Sequence, residues 1–314
     1  MTRVPVLTGR HVELAVSPSA AVEAVRSGFL AYHAGEWTML PKVYVPNYPA
    51  GDFRAMPALG GGHAVLKWVT SFPGNPARGL PTVTGVVLVS DADEGTLEAV
   101  LDAAAVTALR TGAAAALAAE TFGRADARSA SVVGAGVNGR ACARTLVARE
   151  HAVTVWDVDA ARANAVADEL GAPVAASLDA ALAADIVVTV TPGHDVVLRD
   201  GMLHPGQHVS LMGADGPNKA EMDPREVARC RLFCDDWEQA SHGGEFAHAF
   251  EGGLIGRGDV TEIGAVLAGE VEGRRDDHEI TLFDSTGLAI QDLAVAVVAL
   301  KHLSELPDVS TIDL

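Results

Sequence analysis

Cysteines, basic residues and long apolar runs are all scarce in this 314-residue chain. The three cysteines (Cys142, Cys230 and Cys234) are too few for a disulfide framework. The last two also lack the CxxC spacing of a metal clamp, so buried sheet cysteines are expected. Basic residues number 23 against 41 acidic ones, which gives a net charge of −18. That charge argues against nucleic acid or an anionic membrane surface as a partner.

Signals for export and membrane insertion are also missing. The first residues lack the unbroken apolar core and small-residue cleavage site of a signal peptide. The most apolar region, residues 99–119, is interrupted by Asp102 and Arg110 and is rich in alanine, which argues against a membrane span. A cytoplasmic protein is therefore expected.

Motifs of several other classes do not occur in the sequence. It contains no GxSxG elbow, no GxxxxGK[ST] loop and no basic aromatic stripe for RNA. His242, Glu245 and His248 stand at i, i+3 and i+6 around a Gly-Gly break, which fits one helical face poorly. They are expected to be polar residues of a loop and helix, and Asp235 with Asp236 is expected at a strand end and not in a magnesium site. No metal is expected.

The strongest positive signal is the stretch SASVVGAGVNGRACARTLVAREHAVTVWD at residues 129–157. It predicts a strand, a glycine turn, a helix and a second strand. Gly134 permits a tight turn, Gly136 lets backbone N–H groups approach a pyrophosphate, and Gly139 lets the helix pack against the strand. Asp157 follows Gly139 by 18 residues, where a carboxylate accepts the ribose hydroxyls and repels a 2′-phosphate. NAD is therefore expected rather than NADP.

Strand and helix patterns alternate from residue 126 onward. Strands are predicted at residues 130–133, 153–156, 173–175, 186–190, 209–212 and 231–234, and helices at 138–149, 160–170 and 178–183. This alternation predicts an α/β protein with a Rossmann-type doubly wound parallel sheet.

The rest of the chain predicts a discontinuous α+β domain. Its predicted elements are a helix at residues 17–33 with Ser17 as N-cap, strands at 41–45, 63–72 and 82–90, and a helical region at 97–122. The segment LRTG at residues 109–112 predicts that two helices meet there. An apolar helix at residues 288–303, with no strand after it, is expected to return to this domain. The expected domains are residues 1–125 with 285–314, and residues 126–284, the second of which is expected to bind NAD.

Lys67 stands in the middle of a predicted strand. It shares one face with Val65 and Val69, whereas Ala64 and Leu66 point to the other. A buried ammonium without a partner costs several kcal/mol, roughly, so the position predicts either a sheet edge or a polar pocket.

Several separated motifs in a constant order resemble the ornithine cyclodeaminase/mu-crystallin family, and within it the NAD-dependent alanine dehydrogenases of archaeal type. The motifs are PKVY at residues 41–44, GDFRAMP at 51–57, Lys67, GLPTV at 79–83, RTGA at 110–113, the glycine turn, GAD at 213–215 with Lys219 and Glu221, and DSTG at 284–287. The resemblance covers nearly the whole chain.

The resemblance implies an amino-acid dehydrogenase site. Substrate-binding residues would be Lys42, Arg54, Lys67, Arg110 and Thr286. Arg110 would clamp the substrate carboxylate, and Lys67 would bind that carboxylate or polarise the reacting imine. Asp215 would be the catalytic acid and base; without the family, a turn or helix-cap aspartate is an equal alternative.

The resemblance also implies the residues that surround NAD. They are Thr82, Arg110, Thr111, Gly134, Gly136, Val137, Asn138, Gly139, Asp157, Thr191, Met212, Gly213, Ala214, Asp215 and Ser285. Asn138 departs from the glutamine usual in the family, which slightly weakens that one assignment.

One departure bears on the substrate. Cyclodeaminases of the family carry a glutamate two residues before the Met-Pro pair, and this chain has Arg54 there. A cation would repel the ω-ammonium of ornithine or lysine, so a small neutral amino acid is the expected substrate. Imine or ketimine reduction, cyclodeamination and a crystallin-like protein without turnover stay open as alternatives. The resemblance further implies a homodimer built on the first domain and the last helix.

Overall fold

The computed structural model describes residues 3–193, 195–214, 216 and 219–314. The chain divides into two compact units: unit 1 spans Met1–Arg110 and Leu288–Leu314, and unit 2 spans Thr111–Gly287. Within the described residues, no helix is both long enough and apolar enough to cross a membrane. The domain limits expected at 125/126 and 284/285 stay predictions.

Unit 1 contains a mixed eight-stranded sheet. Its strands are β1 (Arg3–Leu7), β2 (Thr38–Met39), β3 (Val43–Asn47), β4 (Gly51–Gly60), β5 (His63–Ser71), β6 (Val83–Asp91), β7 (Leu97–Asp102) and β15 (Ser310–Asp313). The order is β15-β1-β7-β6-β5-β4-β2, with β3 also paired to β4. Only the β1–β7 pair is parallel among these pairs. The strand β15 after the last helix was not expected.

Helices α1 (Gly9–Ala15), α2 (Pro18–His33) and α11 (Ala289–Lys301) also belong to unit 1. The prediction for α2 is confirmed: the Ser17 hydroxyl accepts from the Ala20 N–H, and buried Val22, Val25 and Phe29 follow helical spacing. Helix α11 packs on α2, β4 and β5, and its first eight residues are all buried. The expectation that this helix returns to the first unit is therefore correct.

The prediction for residues 97–122 is wrong in two respects. Residues Leu97–Asp102 form β7, because they pair with β1 and β6, and only Ala103–Phe122 is helical, as α3. Helix α3 is also continuous through residue 110, with no junction of two helices. A Cβ on Gly112 would lie 2.6 Å from the carbonyl oxygen of Ala141, so this glycine serves close helix packing.

Unit 2 contains a parallel seven-stranded sheet. Its strands are β8 (Ser129–Val133), β9 (Ala152–Trp156), β10 (Ile186–Thr189), β11 (His208–Leu211), β12 (Arg231–Cys234), β13 (Val260–Glu262) and β14 (Thr281–Asp284), in the order β13-β12-β14-β11-β10-β8-β9. All these pairs are parallel, which confirms the α/β fold class. The sequence missed β13 and β14, and the strand predicted at residues 173–175 is reduced to a single bridge between Val155 and Val174.

The helices of unit 2 are α4 (Val137–Ala148), α5 (Ala160–Leu170), α6 (Leu178–Ala181), α7 (Pro224–Val227), α8 (Trp237–Gly243), α9 (Ala247–Glu251) and α10 (Ile263–Leu267). The chain goes from β8 through α4 to β9 on one side, and later to β10 on the other side of β8. This reversal of strand order is where open α/β sheets bind ligands, at the carboxyl ends of the strands.

Candidate functional site

Lys67 occupies the central strand β5, between β4 and β6, so the sheet-edge alternative is wrong. The residue is 1 % exposed and shares the buried face of β5 with Val65 and Val69. The strand therefore holds the lysine stem among apolar side chains and carries its ammonium into the interior. This is the polar pocket that the strand pattern offered as the other possibility.

A buried carboxylate receives this ammonium. The Nζ atom of Lys67 lies 2.8 Å from both carboxylate oxygens of Asp292, and it donates a longer hydrogen bond, 3.3 Å, to the Thr107 hydroxyl. Arg110, on α3, brings its Nε atom to 3.8 Å from the same carboxylate. Burial lowers the pKa of Lys67 to about 8, and Asp292 opposes that shift. Two cations thus share one anion.

Arg54 lies on β4, facing the same interior, but it has its own counter-ion. Its Nε atom donates to Asp52 at 2.6 Å, and its guanidinium stacks over the Tyr44 ring at 5.2 Å. Both Arg54 and Asp52 are buried. Because Asp52 balances the guanidinium charge, Arg54 would repel an ω-ammonium less than its position in the sequence suggests.

The remaining predicted site residues of unit 1 lie immediately before strands. Lys42 is partly exposed immediately before β3, and Thr82 is partly exposed immediately before β6, where its carbonyl accepts from the Phe72 N–H at 2.8 Å.

The glycine turn of unit 2 has the geometry that the sequence predicts. Gly134 has φ of +107°, a conformation that side chains resist, and a Cβ on Gly139 would clash with the carbonyl oxygen of Gly134. A Cβ on Gly136 would meet nothing within 4 Å, so open space lies beside the turn. The N-cap residue of α4 is Gly136, which has no side chain to cap the first N–H groups, and the helix begins with Val137 and Asn138. Its N–H groups and dipole therefore suit a phosphate.

Asp157 immediately follows β9 and contacts the turn directly. Its two carboxylate oxygens accept from the backbone N–H groups of Ala135, at 2.7 Å, and Asp159, at 2.8 Å. The sequence assigned this residue to the ribose alone. Each carboxylate oxygen has further acceptor capacity, so a role in fixing the turn is compatible with one toward the ribose.

Glu221 joins the ends of two neighbouring strands. It accepts from the Thr189 hydroxyl at 2.7 Å, the Thr191 N–H at 2.6 Å and the Gly213 N–H at 2.9 Å. Thr191 follows β10 and Gly213 follows β11, with buried Met212 and Ala214 beside it. Glu221 thereby fixes the backbone immediately before residue 215. Asp215 itself, the predicted acid and base, lies outside the described residues.

A second buried carboxyl group supports Glu221. Glu245 accepts from the backbone N–H groups of Glu221, at 2.8 Å, and Met222, at 2.6 Å. Burial, then the charge of Glu221, raises the pKa of Glu245 to about 8, and burial also raises the pKa of Glu221. Glu245 is therefore a buried structural acid, whereas His242, expected beside it, is exposed.

The DSTG motif begins at Asp284, the last residue of β14, and is hydrogen-bonded to Asp235, which follows β12. Asp235 accepts from the Thr286 hydroxyl at 3.0 Å, the Ser285 hydroxyl at 3.4 Å and the Gly287 N–H at 2.8 Å. Asp284 is fully buried, and burial, followed by the charge of Asp235, raises the pKa of its carboxyl. All these groups stand at the carboxyl edge of the parallel sheet, as does the glycine turn.

Thr111 begins unit 2, and the sequence placed it near the start of a second helix. It lies instead within the continuous helix α3, where it is buried. Its hydroxyl has no hydrogen-bond partner among residues 3–193, 195–214, 216 and 219–314. A buried hydroxyl without a partner is unusual and is suited to a ligand.

These features define a dinucleotide-binding α/β protein with a separate cation-bearing unit. The chain belongs to the ornithine cyclodeaminase/mu-crystallin family, whose model matches residues 4–305. It is 40 % identical, over 306 residues, to an alanine dehydrogenase of Archaeoglobus fulgidus; this stretch covers 95 % of the chain and 94 % of the relative. The resemblance inferred from the motifs is thus confirmed.

Solved structures agree with this relationship. An archaeal alanine dehydrogenase dimer with bound NAD matches with a TM-score of 0.93 and 38 % identity, over 100 % of both chains. The iminosuccinate reductase of Paracoccus denitrificans, in complex with NAD⁺, matches with a TM-score of 0.90 and 29 % identity, also over 100 % of both chains.

Sequence reasoning missed the anions of the site. Asp52, Asp292 and Glu245 were given no role toward the cations or strand ends, and Glu221 was noted only as a motif residue. Asp292 did leave a signal, because it is a carboxylate within the otherwise apolar helix LAIQDLAVAVVAL. A buried charge in such a helix requires a partner elsewhere in the fold.

Proposed function

We propose that the protein is an NAD-dependent oxidoreductase that interconverts a small L-amino acid, alanine-like, and its 2-oxo or imino acid by hydride transfer at Cα. The observation that carries the proposal is the buried cluster in which Lys67 and Arg110 share the single carboxylate of Asp292. Two cations against one anion leave a net positive charge, which suits one substrate carboxylate.

The nucleotide half of the proposal rests on the turn at residues 134–139. Open space beside Gly136, the N-terminus of α4 without a side-chain cap, and the Asp157 carboxylate all suit NAD. Bound NAD⁺ supplies the acceptor for the hydride of the amino acid. Thr111, Thr191, Met212–Ala214 and Ser285 are the further proposed cofactor residues, with Thr82 and Arg110 from unit 1.

The chain's own residues have distinct roles toward the substrate. Arg110 donates to the substrate carboxylate with its planar guanidinium, and Lys67 adds a second positive charge. Asp215 takes a proton from the substrate amine or from the attacking water, and Glu221 fixes the backbone at Gly213 that leads to it. Lys42, Arg54 and Thr286 complete the proposed substrate residues.

We propose two functional domains, with substrate binding and dimerisation in residues 1–125 and 285–314 and NAD binding in residues 126–284. We also propose a homodimer through the outward face of the unit 1 sheet. Leu66, Trp68 and Val86 lie on that face and are 38 %, 39 % and 38 % exposed, and Phe53 stacks on Trp68 with ring centroids 5.7 Å apart. Helix α11, expected to contribute to a dimer, is largely buried within unit 1.

Imine or ketimine reduction is the second candidate, because it requires the same carboxylate clamp and hydride transfer at the same carbon. Cyclodeamination of a diamino acid is a third, since Asp52 offsets the charge of Arg54. The presence of Lys67, Arg110 and Asp215 in the chain argues against a crystallin-like protein without turnover.

A substrate panel separates these candidates. NADH formation from NAD⁺ is measured with L-alanine and other small L-amino acids, NADH consumption with pyruvate plus ammonia and with cyclic imines, and ammonia release with ornithine. The proposal predicts reversible NADH formation with a small neutral L-amino acid. Consumption only with imines would favour a reductase, and ammonia release from ornithine without net NADH would favour a cyclodeaminase. No turnover in any arm would refute an enzymatic role of this kind.

A further inference from the structure

We propose that Asp292 is a positioning residue, whose carboxylate holds the Lys67 ammonium and orients the cation cluster so that Arg110 receives the substrate carboxylate. The role toward substrate rests on the proposed function. The placement of the ammonium by Asp292 does not depend on it.

The geometry distinguishes the two cations: Lys67 is held by Asp292, whereas Arg110 is available to a substrate carboxylate. Both carboxylate oxygens of Asp292 lie 2.8 Å from the Lys67 Nζ atom, and Asp292 is fully buried. The Arg110 Nε atom is 3.8 Å from Asp292, too far for a hydrogen bond. Within the part of the chain that the structure describes, that buried Nε has no hydrogen-bond partner. This buried N–H of Arg110 would donate a hydrogen bond to a bound substrate carboxylate.

The groups around Lys67 disfavour its positive charge, and Asp292 is the group that stabilises that charge. Arg110 from α3 and Arg54 from β4 are cations that disfavour the ammonium, and burial disfavours it further; Asp292 from α11 is the anion that opposes them. Together these effects bring the pKa of Lys67 to about 8. Without the carboxylate the pKa falls further, so Lys67 becomes neutral at a lower pH and contributes less to binding an anionic substrate.

Helix α11 holds the Asp292 carboxylate in a fixed position. Asp292 stands in the first turn of the helix, among buried neighbours that pack on α2, β4 and β5. Gln291 caps the backbone at Leu288 with a 3.0 Å hydrogen bond. The carboxylate is thus carried by a packed helix and not by a loop, which suits a positioning role.

The placement is tested by NMR on the full protein, without any need for turnover. The chain has four lysines, Lys42, Lys67, Lys219 and Lys301, so labelling lysine with ¹³C at the ε carbon gives few signals, which Lys→Arg variants assign. The expected titration midpoint of Lys67 is about 8. In Asp292→Asn it falls by at least about one pH unit, as expected for loss of an adjacent opposite charge. An unchanged midpoint would overturn the placement.

The positioning role is tested by kinetics with the amino acid that gives turnover. Asp292→Asn is expected to raise KM by at least about tenfold, the equivalent of one lost charged hydrogen bond, and to move the alkaline limb of kcat/KM to lower pH. Asp292→Glu keeps the charge and is expected to retain the alkaline limb near its wild-type position. If Asp292→Asn does not fold, Asp292→Glu decides the question, because a shifted limb in that variant contradicts the proposal.

Asp185→Asn is the matched control. Asp185 in unit 2 holds Ser129 and Arg124 and has no proposed role toward substrate or cofactor. Its loss is expected to lower stability and leave the pH profile of kcat/KM unchanged.

The two proposals can fail separately. If the wild type turns over none of the substrates, the proposed function fails, while the NMR titration still decides the placement of the ammonium. An unchanged KM and an unchanged alkaline limb in Asp292→Asn would refute the positioning role alone.

Discussion

The Lys67 ammonium and the Asp292 carboxylate lie 2.8 Å apart although they are separated by 225 residues in the chain. Strand β5 supplies the cation and helix α11 supplies the anion, and both residues are buried. Removing either partner of such a pair leaves an uncompensated charge in the interior. The proposed role of Lys67 therefore links stability and substrate binding at this contact.

Lys67→Met is expected to cost about 3–5 kcal/mol in the free energy of unfolding, because Asp292 is left without its close cation. Lys67→Met combined with Asp292→Asn should recover much of that loss, since the buried charge is removed, yet show no recovery of turnover. Urea unfolding and NADH formation measure the two effects. Equal stability of the single and double variants would show that the ion pair contributes little.

Asp157→Asn is expected to weaken the preference for NADH over NADPH by about tenfold, roughly 1.4 kcal/mol, because it removes the charge that repels a 2′-phosphate. Some loss of affinity for both cofactors should accompany it, since Asp157 also binds the N–H groups of Ala135 and Asp159. Fluorescence titration with each cofactor gives the ratio. Asp159→Asn, which alters the cap of α5, is the control and should leave the ratio unchanged.

Glu245→Gln is expected to stabilise the protein at alkaline pH. A carboxyl whose pKa rises on folding favours the folded state while it is protonated, and this contribution is lost as the pH increases from 4.5 through about 8. The amide oxygen of glutamine can keep the hydrogen bonds from Glu221 and Met222 without the charge. The melting temperature at pH 9 should rise by a few degrees, roughly, relative to wild type, with a smaller difference at pH 6.

Glu226→Gln provides the comparison for this effect. Glu226 is also buried but is paired with Arg229 at 2.6 Å, so neutralising it removes an ion pair and should lower the melting temperature. The same response of both variants to pH would contradict the assignment of Glu245 as an acid destabilised by burial.

Trp68→Glu is expected to convert a dimer into a monomer, because it places a charge on the outward apolar face of the unit 1 sheet. Analytical ultracentrifugation measures the mass. Val147→Glu, at a residue of similar exposure, 37 %, on helix α4 of unit 2, is the control and should leave the mass unchanged. A dimer that survives Trp68→Glu would place the interface elsewhere.

The local sequence was sufficient to predict the parallel sheet and its glycine turn. Strand β10 is the β-branched run IVVT, and β8, with the sequence SASVV, is a short run of small residues that ends in two valines. The turn depends on Gly134, which has a positive φ, and on Gly139, where a side chain would clash. The segment Leu97–Asp102 was assigned wrongly, because it runs without a break into the alanines of α3, although its buried Ala99 and Leu101 alternate as in a strand. Pairing with β1 and β6 makes this short segment a strand.

The cations of the candidate site could be named from the sequence, but their counter-ions could not. Arg54 and Asp52 are close in sequence, yet their pairing requires that both face the interior from β4. The partner of Lys67 comes from another element at the end of the chain. Polar groups such as Glu221, which connect separate strand ends, become visible only when the sheet brings those ends together.

The central claim is hydride transfer at Cα of an amino acid, and deuterium tests it most directly. L-Alanine carrying ²H at Cα is incubated with NAD⁺ and the enzyme, or the amino acid found active in the substrate panel is used, and the isolated reduced cofactor is examined by NMR. The account predicts one deuterium at nicotinamide C4 for each 2-oxo acid formed, with slower turnover than for the protiated substrate. Reduced cofactor without deuterium, or retention of the deuterium in the product carbon skeleton without net NADH, would contradict it.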